Sequence, residues 1–314
     1  MSFKERTESV NIVTFSAVTI VNALPCGKGS AFAIDIPTHI TVQIADEDYV
    51  DSADSKTILK FVERYREELD IEDRYHINIR TQIPPGSGLK SSSSVTTGVA
   101  LGISALSRPD MTLRECITLS CKICRELGIS FTGALDDATA STLGGLIYTD
   151  NELNEILEIA DIDDDILVLI LLFRTWKRPD NMREIFRRMR DDENLVRLYE
   201  RIFNLALKDP LEAGSLNTIY IGFLLNYNLS LIYAIRRRYR PMQVLISGNG
   251  PAIAIIDTKL EKLNDIVNDF SRDIKYYRIC KVVPQIRDPD EKVSKVFSPG
   301  QRLMMHLSAD TRYS

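Results

Sequence analysis

The sequence predicts an α+β fold, and two features of its strand pattern carry that expectation. Stretches rich in β-branched residues come as adjacent pairs, 14–24 with 31–44 and 243–247 with 252–257, each pair split by a tight glycine-containing turn. Helical stretches lie between the pairs instead of alternating one for one with strands, as a doubly wound parallel sheet requires. At 314 residues the chain is long enough for two domains, and it holds no internal repeat.

Each element follows from its own spacing. The turn PCGKGS joins the first strand pair. Residues 55–69 carry Ile58, Leu59, Val62, Tyr65 and Leu69 at helical intervals. Residues 75–83 alternate, with Ile77, Ile79 and Thr81 on one side, as a strand does. The loop IPPGSGLKSSSS, 83–94, opens a helix over 89–106 that is rich in Ala, Val and Leu. A further helix covers 112–127, and DDATASTLGG leads into a strand at 145–148. An acidic link, 161–165, precedes ILVLILLF at 166–173, which reads as a buried strand. Helices follow at 181–189, 193–207, 211–227 and 230–238, and the second strand pair flanks GNGP. A helix at 260–270 and a strand at 276–283 complete that layer. The polar stretch after Pro284 has no periodicity and receives no assignment.

Composition narrows the function. The 44% hydrophobic and 26% charged residues are those of an ordinary folded protein. A net charge of -5 gives no basic stripe for nucleic acid. The longest apolar run, 166–173, falls far short of the ~20 residues that span a bilayer. The opening MSFKERTESV shows no apolar signal region, so the expected location is the cytoplasm, with no membrane partner. Five cysteines do not form a disulfide framework. Cys116, Cys121 and Cys124 have the C-x4-C-x2-C spacing of iron–sulfur ligands. The same stretch places Leu113, Cys116, Ile117, Ser120, Cys124 and Leu127 along one helix face, with no glycine before Gly128 to bend a cluster loop. The helical reading is the stronger.

The glycine–serine loop raises the question of what its donors hold. It fails the pattern G-x-x-x-x-G-K-S/T because Leu89 separates Gly88 from Lys90, and it fails G-x-G-x-x-G because Ser91 stands at the third glycine. The physics of both patterns remains: glycines let the backbone turn and approach a ligand, and a helix start offers unpaired N–H groups at the positive end of a dipole. An ordinary serine N-cap explains the local sequence equally well.

The stretch also resembles the second motif of the GHMP kinases, P-x-x-x-G-L-x-S-S, with Pro84, Gly88, Leu89, Ser91 and Ser92 in place. NALPCGKGSAFAIDIP resembles that family's first motif and SGNGPAIAII its third, while LDDATASTLGG looks like its aspartate region ahead of a Gly-Gly pair. GKGSAFAID, GSGLKSSSS and FTGALDDATAS are similar to the archaeal-type shikimate kinase subgroup. The resemblance implies a two-lobed fold: a ribosomal-protein-S5-like lobe over 1–160, a ferredoxin-like α/β sandwich over 161–284, and a polar tail over 285–314.

It also implies ATP and Mg²⁺. Pro85, Gly86, Ser87, Gly88, Leu89, Lys90, Ser91, Ser92 and Ser93 would hold the phosphates. Ser92, or Ser91, and Glu126 would bind the metal. Counting back from Gly144 puts the catalytic carboxylate on Asp137, beside Asp136, with Lys28 holding it ionised. Ser30 and Asp35 are candidates for acceptor hydroxyls, together with Gly248, Asn249 and Gly250. Arg174, Lys177 and Arg178 in FRTWKRPD are candidates for a carboxylate, with Arg174 taken first. Read singly, these residues are also a helix cap (Asp136, Asp137), a solvated helix charge (Glu126) and surface basic groups.

The expected reaction is phosphorylation of shikimate at its 3-hydroxyl. The alternatives are a homoserine, mevalonate or pantoate kinase of the same fold, or a silent sensor of ATP and a metabolite. A homodimer is among the assemblies left open.

Overall fold

A computed structural model describes residues 8–297. The chain runs β1 (Ser9–Val21), β2 (Lys28–Ala45), β3 (Tyr49–Asp51), α1 (Ser55–Leu69), β4 (Arg74–Thr81), α2 (Ser91–Ser107), α3 (Leu113–Glu126), α4 (Leu135–Leu143), β5 (Leu146–Asp150) and β6 (Glu155–Ala160). It continues with β7 (Leu167–Phe173), α5 (Met182–Asp191), α6 (Glu193–Ala206), α7 (Pro210–Leu224), α8 (Ser230–Tyr239), β8 (Gln243–Ile246), β9 (Ile253–Asp257), α9 (Leu260–Asp269), β10 (Ile274–Lys281) and α10 (Val293–Val296).

The architecture is α+β with two sheets. In the first, the long β2 pairs with β1 along one edge and with β4 and β5 along the other; β3 and β6 extend it to six strands. The second is antiparallel in the order β10-β7-β9-β8. Counted within that half, this is strand order 4-1-3-2 of a β-α-β-β-α-β unit, the ferredoxin-like arrangement. A bridge between Ile34 and Val282 links the two sheets.

β1 is buried along nearly its whole length because helices cover both faces of its sheet: α2 and α4 on one side, α6 and α7 on the other. A strand buried on both faces loses the polar–apolar alternation and becomes a continuous β-branched run. Helix α2 lies unusually close to the sheet. A Cβ at Gly98 would fall 2.1 Å from Ile40 Cδ1, and one at Gly102 2.4 Å from Val42 Cγ2. Two glycines four residues apart thus let the helix backbone seat directly on β2.

One core fills the space between β1–β2 and the C-terminal elements, joining Ile20, Phe32 and Ile34 to Leu169, Ile255 and Phe203. A second lies under α1, α2 and α3 around Phe61, Tyr65, Leu101 and Ile117. Cys116, Cys121 and Cys124 are buried free thiols on α3, and burial raises the pKa of each. That is the helical reading of the cysteine trio. The residues after Pro284 return to the first half: Leu113 N–H donates to Glu291 C=O (2.9 Å), and Phe297 is buried in the second core. Main-chain pairing of this kind leaves no periodic side-chain signal, which is why periodicity assigns no element there. The sequence reading also lacks the short edge strand β3 and the edge strand β6, whose EILEIA is mostly half-buried or exposed, and it gives no bounds for the helix at DDATASTLGG, which is α4.

Candidate active site

The loop before α2 contains three left-handed residues, Gly86 (φ 66°), Gly88 (φ 84°) and Lys90 (φ 68°). Lys90 is the N-cap, and no side chain caps the helix. The first intrahelical bond runs from Ser94 N–H to Lys90 C=O (3.0 Å), so the amides of Ser91, Ser92 and Ser93 open outwards from the helix mouth. Unpaired amides at the positive end of a helix dipole favour an anion.

The C-terminal sheet holds this loop main chain to main chain. A Cβ at Gly88 would lie 2.5 Å from Ser247 O and 2.7 Å from Gly250 O, so only glycine fits. Ser247 Oγ donates to Gly88 O (3.0 Å), and Ala252 N–H donates to Ser87 O (2.9 Å). Asn22, at the end of β1, donates through Nδ2 to Gly248 O (2.9 Å), while Gly248 N–H donates to Thr19 Oγ1 (2.9 Å). The turn Gly248-Asn249-Gly250 is fixed further by the Tyr227 hydroxyl, which donates to Asn249 O (2.7 Å).

Helix α4 starts in the same way. Its N-cap, Ala134 (φ 55°), offers no side-chain cap, and Asp136 and Asp137 occupy the first turn. Both are buried. Asp137 Oδ1 lies 2.9 Å from Lys90 Nζ. Asp136 Oδ1 accepts from Asn151 Nδ2 (2.9 Å). Burial and then the neighbouring Asp136 carboxylate raise the pKa of Asp137, while the Lys90 ammonium opposes them. A carboxyl held above its ordinary range, beside a cation and at a helix mouth, is suited to taking a proton near neutral pH.

Two cavities meet at Gly86, Ser91 and Ser92. One, about 190 Å³, is polar and holds Asp136, Asp137, Lys90, Asn22, Asn249 and Arg178 in its wall. The other, about 630 Å³, is lined by Ile58, Ile79, Ile83 and Val95 together with polar groups such as Thr57 and Thr96.

The expected site residues divide in two. Gly86, Ser87, Gly88, Leu89, Lys90, Ser91, Ser92, Ser93, Asp136, Asp137, Gly248, Asn249 and Gly250 converge on the polar cavity, and Pro85 lines the apolar one. Lys28, Ser30, Asp35, Arg174 and Glu126 are not brought there. Gly29 faces Asp136, since a Cβ on it would sit 2.7 Å from Asp136 Cγ. Lys28, its neighbour on the strand, therefore points to the opposite face, where its charge acts on the Cys26 thiol. Lys90 takes the place expected of it beside Asp137. Ser30 is fully buried inside β2. At ~3.3 Å per residue, Asp35 lies about 20 Å along β2 from Gly29. There it accepts from Lys281 N–H (3.0 Å), and burial raises its pKa. Arg174 is exposed at the end of β7, its N–H bonded to Asp273 C=O (2.9 Å); Arg178 is exposed too but lines the cavity. Glu126 is drawn to Arg64 Nε (3.1 Å) and Lys122 Nζ (3.9 Å) on the outer surface of α3.

Asn22 and Asn151 were missed. Asn22 belongs to the quoted NALPCGKGS stretch, and its position at a strand end ahead of a turn was the available signal; nothing in the sequence ties Asn151 to Asp136.

The profile described as "GHMP kinases N terminal domain" matches residues 56–145. The shikimate kinase of Archaeoglobus fulgidus is 30% identical over 263 residues, covering 82% of this chain and 89% of that protein. The shikimate kinase of Pyrococcus furiosus is 29% identical, covering 81% and 94%. Among solved structures, the mevalonate kinase of Methanococcus jannaschii superposes with a TM-score of 0.66 at 19% identity, covering 87% of this chain and 98% of that one.

Proposed function

The chain belongs to the GHMP kinase family and is a small-molecule kinase, and we propose that it transfers the γ-phosphoryl group of ATP to the 3-hydroxyl of shikimate. The observation that carries the kinase chemistry is the uncapped mouth of α2 standing against Asp137 across one polar cavity. The acceptor reading is supported by the shared name of the relatives matched over most of their length.

In this reading the apolar cavity receives the adenosine part of ATP. The triphosphate crosses Gly86, Ser91 and Ser92 into the polar cavity, where the amides of α2 hold its oxygens. The acceptor hydroxyl lies beside Asp137. Its oxygen bonds to the γ-phosphorus as the bond from that phosphorus to the β–γ bridging oxygen breaks, ADP leaves with the bond's electron pair, and the hydroxyl proton passes to Asp137. Lys90 favours the ionised form of Asp137 against burial and Asp136, and offsets charge on the transferring group.

The donor set tests a Mg²⁺ site. No three Asp, Glu, His or Cys side chains converge as a metal site among the described residues, but serine hydroxyls stand at the helix mouth. This fits an ion carried mainly by the nucleotide, with Ser92 (or Ser91) as the protein ligand and no part for Glu126. Such an ion supplies charge neutralisation on the phosphate oxygens. The expected place of action is the cytoplasm.

Measuring ATP consumption with shikimate, homoserine, mevalonate and pantoate, with the product identified by phosphorus NMR, tests the acceptor. Shikimate 3-phosphate is expected; turnover of mevalonate with none of shikimate would overturn the reading.

A further inference from the structure

We propose that Arg178 receives the acceptor's carboxylate, so that the cavity selects anionic hydroxy acids over neutral polyols; this rests on the acceptor reading above. Four charged side chains line the polar cavity: Asp136, Asp137, Lys90 and Arg178. Three are engaged within the protein, Lys90 with Asp137 and Asp136 with Asn151. Arg178 makes no hydrogen bond or ion pair among the described residues, and its charge acts on the Tyr227 phenol. Without it the cavity would present two carboxylates against one ammonium and repel an anion. With it the wall is balanced and holds one uncommitted cation.

The loop that carries Arg178 is fixed on both sides. Trp176 stacks on Tyr227 (centroids 4.7 Å apart, planes 13° apart), and the Tyr227 hydroxyl in turn holds Asn249 of the cavity wall. Met182, which begins α5, is buried, and Phe186 of α5 stacks on Phe131 of the opposite wall (5.0 Å). Pro179 disfavours the helical conformation at the preceding Arg178 and so narrows its backbone freedom. A guanidinium presented from a fixed backbone can meet a carboxylate through two parallel N–H bonds, which an ammonium cannot do.

Titration calorimetry of shikimate and its methyl ester into the full chain, as wild type, Arg178→Met and Arg178→Lys, tests this. Arg178→Met should weaken shikimate binding ~10- to 100-fold, the range of a lost hydrogen bond to a charged group. It should leave the ester and ATP unaffected, and Arg178→Lys should restore part of the loss. Unchanged binding of the acid in Arg178→Met, or equal weakening of acid and ester, overturns the proposal. Homoserine, mevalonate and pantoate run beside it separate the two readings. If the wild type binds one of these and not shikimate, the acceptor reading fails, and the acid–ester contrast on that compound judges Arg178. Binding of no acid in the set overturns both.

Discussion

Helices α2 and α3 are neighbours in the same lobe, yet they begin in opposite ways. α3 starts with a complete capping box: Thr112 Oγ1 accepts from Glu115 N–H (3.2 Å), and Glu115 Oε2 accepts from Thr112 N–H (2.7 Å). α2 starts with four serines, the commonest capping residues, and none of them caps it. Its N-cap is a left-handed lysine whose side chain reaches away to Asp137. α4 shares this bare start but already carries two carboxylates at its mouth. A helix that only has to fold satisfies its first amides with its own side chains. The two that frame the cavity leave theirs for chemistry, one open to an outside anion and one holding the protein's own.

Breaking the acidic side should have the largest effect. Asp137→Asn is expected to lower kcat ~10²- to 10⁴-fold, the contribution of general base catalysis, while ATP affinity measured by calorimetry stays as it was. Unchanged turnover would remove the base role. Asp137 has a raised pKa in the folded state, so the stability it contributes is fully present below the unfolded value of about 3.9. That contribution is lost as pH rises through the raised folded value. Asp137→Asn should accordingly flatten the decline of Tm between mildly acidic and neutral pH. In the wild type, kcat/KM should rise with pH through the same window. Lys90→Met should move that rise to higher pH, because the opposing cation is gone; an unmoved profile would show that the pair is not maintained in the working enzyme.

Next in size is the loop itself. Gly88→Ala drives a methyl into Ser247 O and Gly250 O and should cost several degrees of Tm together with ATP affinity. Gly86→Ala meets nothing within 4 Å. It should cost only the left-handed backbone penalty of ~1–2 kcal/mol. Equal losses in the two variants would mean that the loop is not pinned by the C-terminal turn. The smallest effects should separate the two helix starts most cleanly. Thr112→Ala should lower stability by ~1 kcal/mol with kinetics unchanged. Ser92→Ala should leave Tm in place and raise the KM for ATP–Mg²⁺.

The glycine–serine loop was legible from short-range pattern, glycines where the backbone turns and polar residues at a helix start, whereas the roles of the aspartate pair and the GNGP turn came with the family resemblance. Lys28 and Glu126 were misplaced for a different reason. Spacing locates a residue along the chain but says nothing about the direction of its side chain. A strand alternates faces, so Lys28 lies one position, and therefore one side of the sheet, away from the cavity. Glu126 was claimed by Arg64, a partner 62 residues earlier that no periodicity announces. Asp35 shows the same limit over distance, since one long strand runs from the cavity to the far junction of the sheets.

The residues that follow Val282 have a bearing on what holds the acidic helix in place. Ile286 N–H and the Arg287 guanidinium satisfy the last carbonyls of α4, those of Leu143 and Thr142, and Gly145 N–H is bonded by Val283 C=O. The short helix that carries the aspartates is therefore moored at its far end by residues up to 145 positions later in the chain. The placement of the two carboxylates thus rests on a contact made from beyond the C-terminal sheet, well away from the cavity they serve.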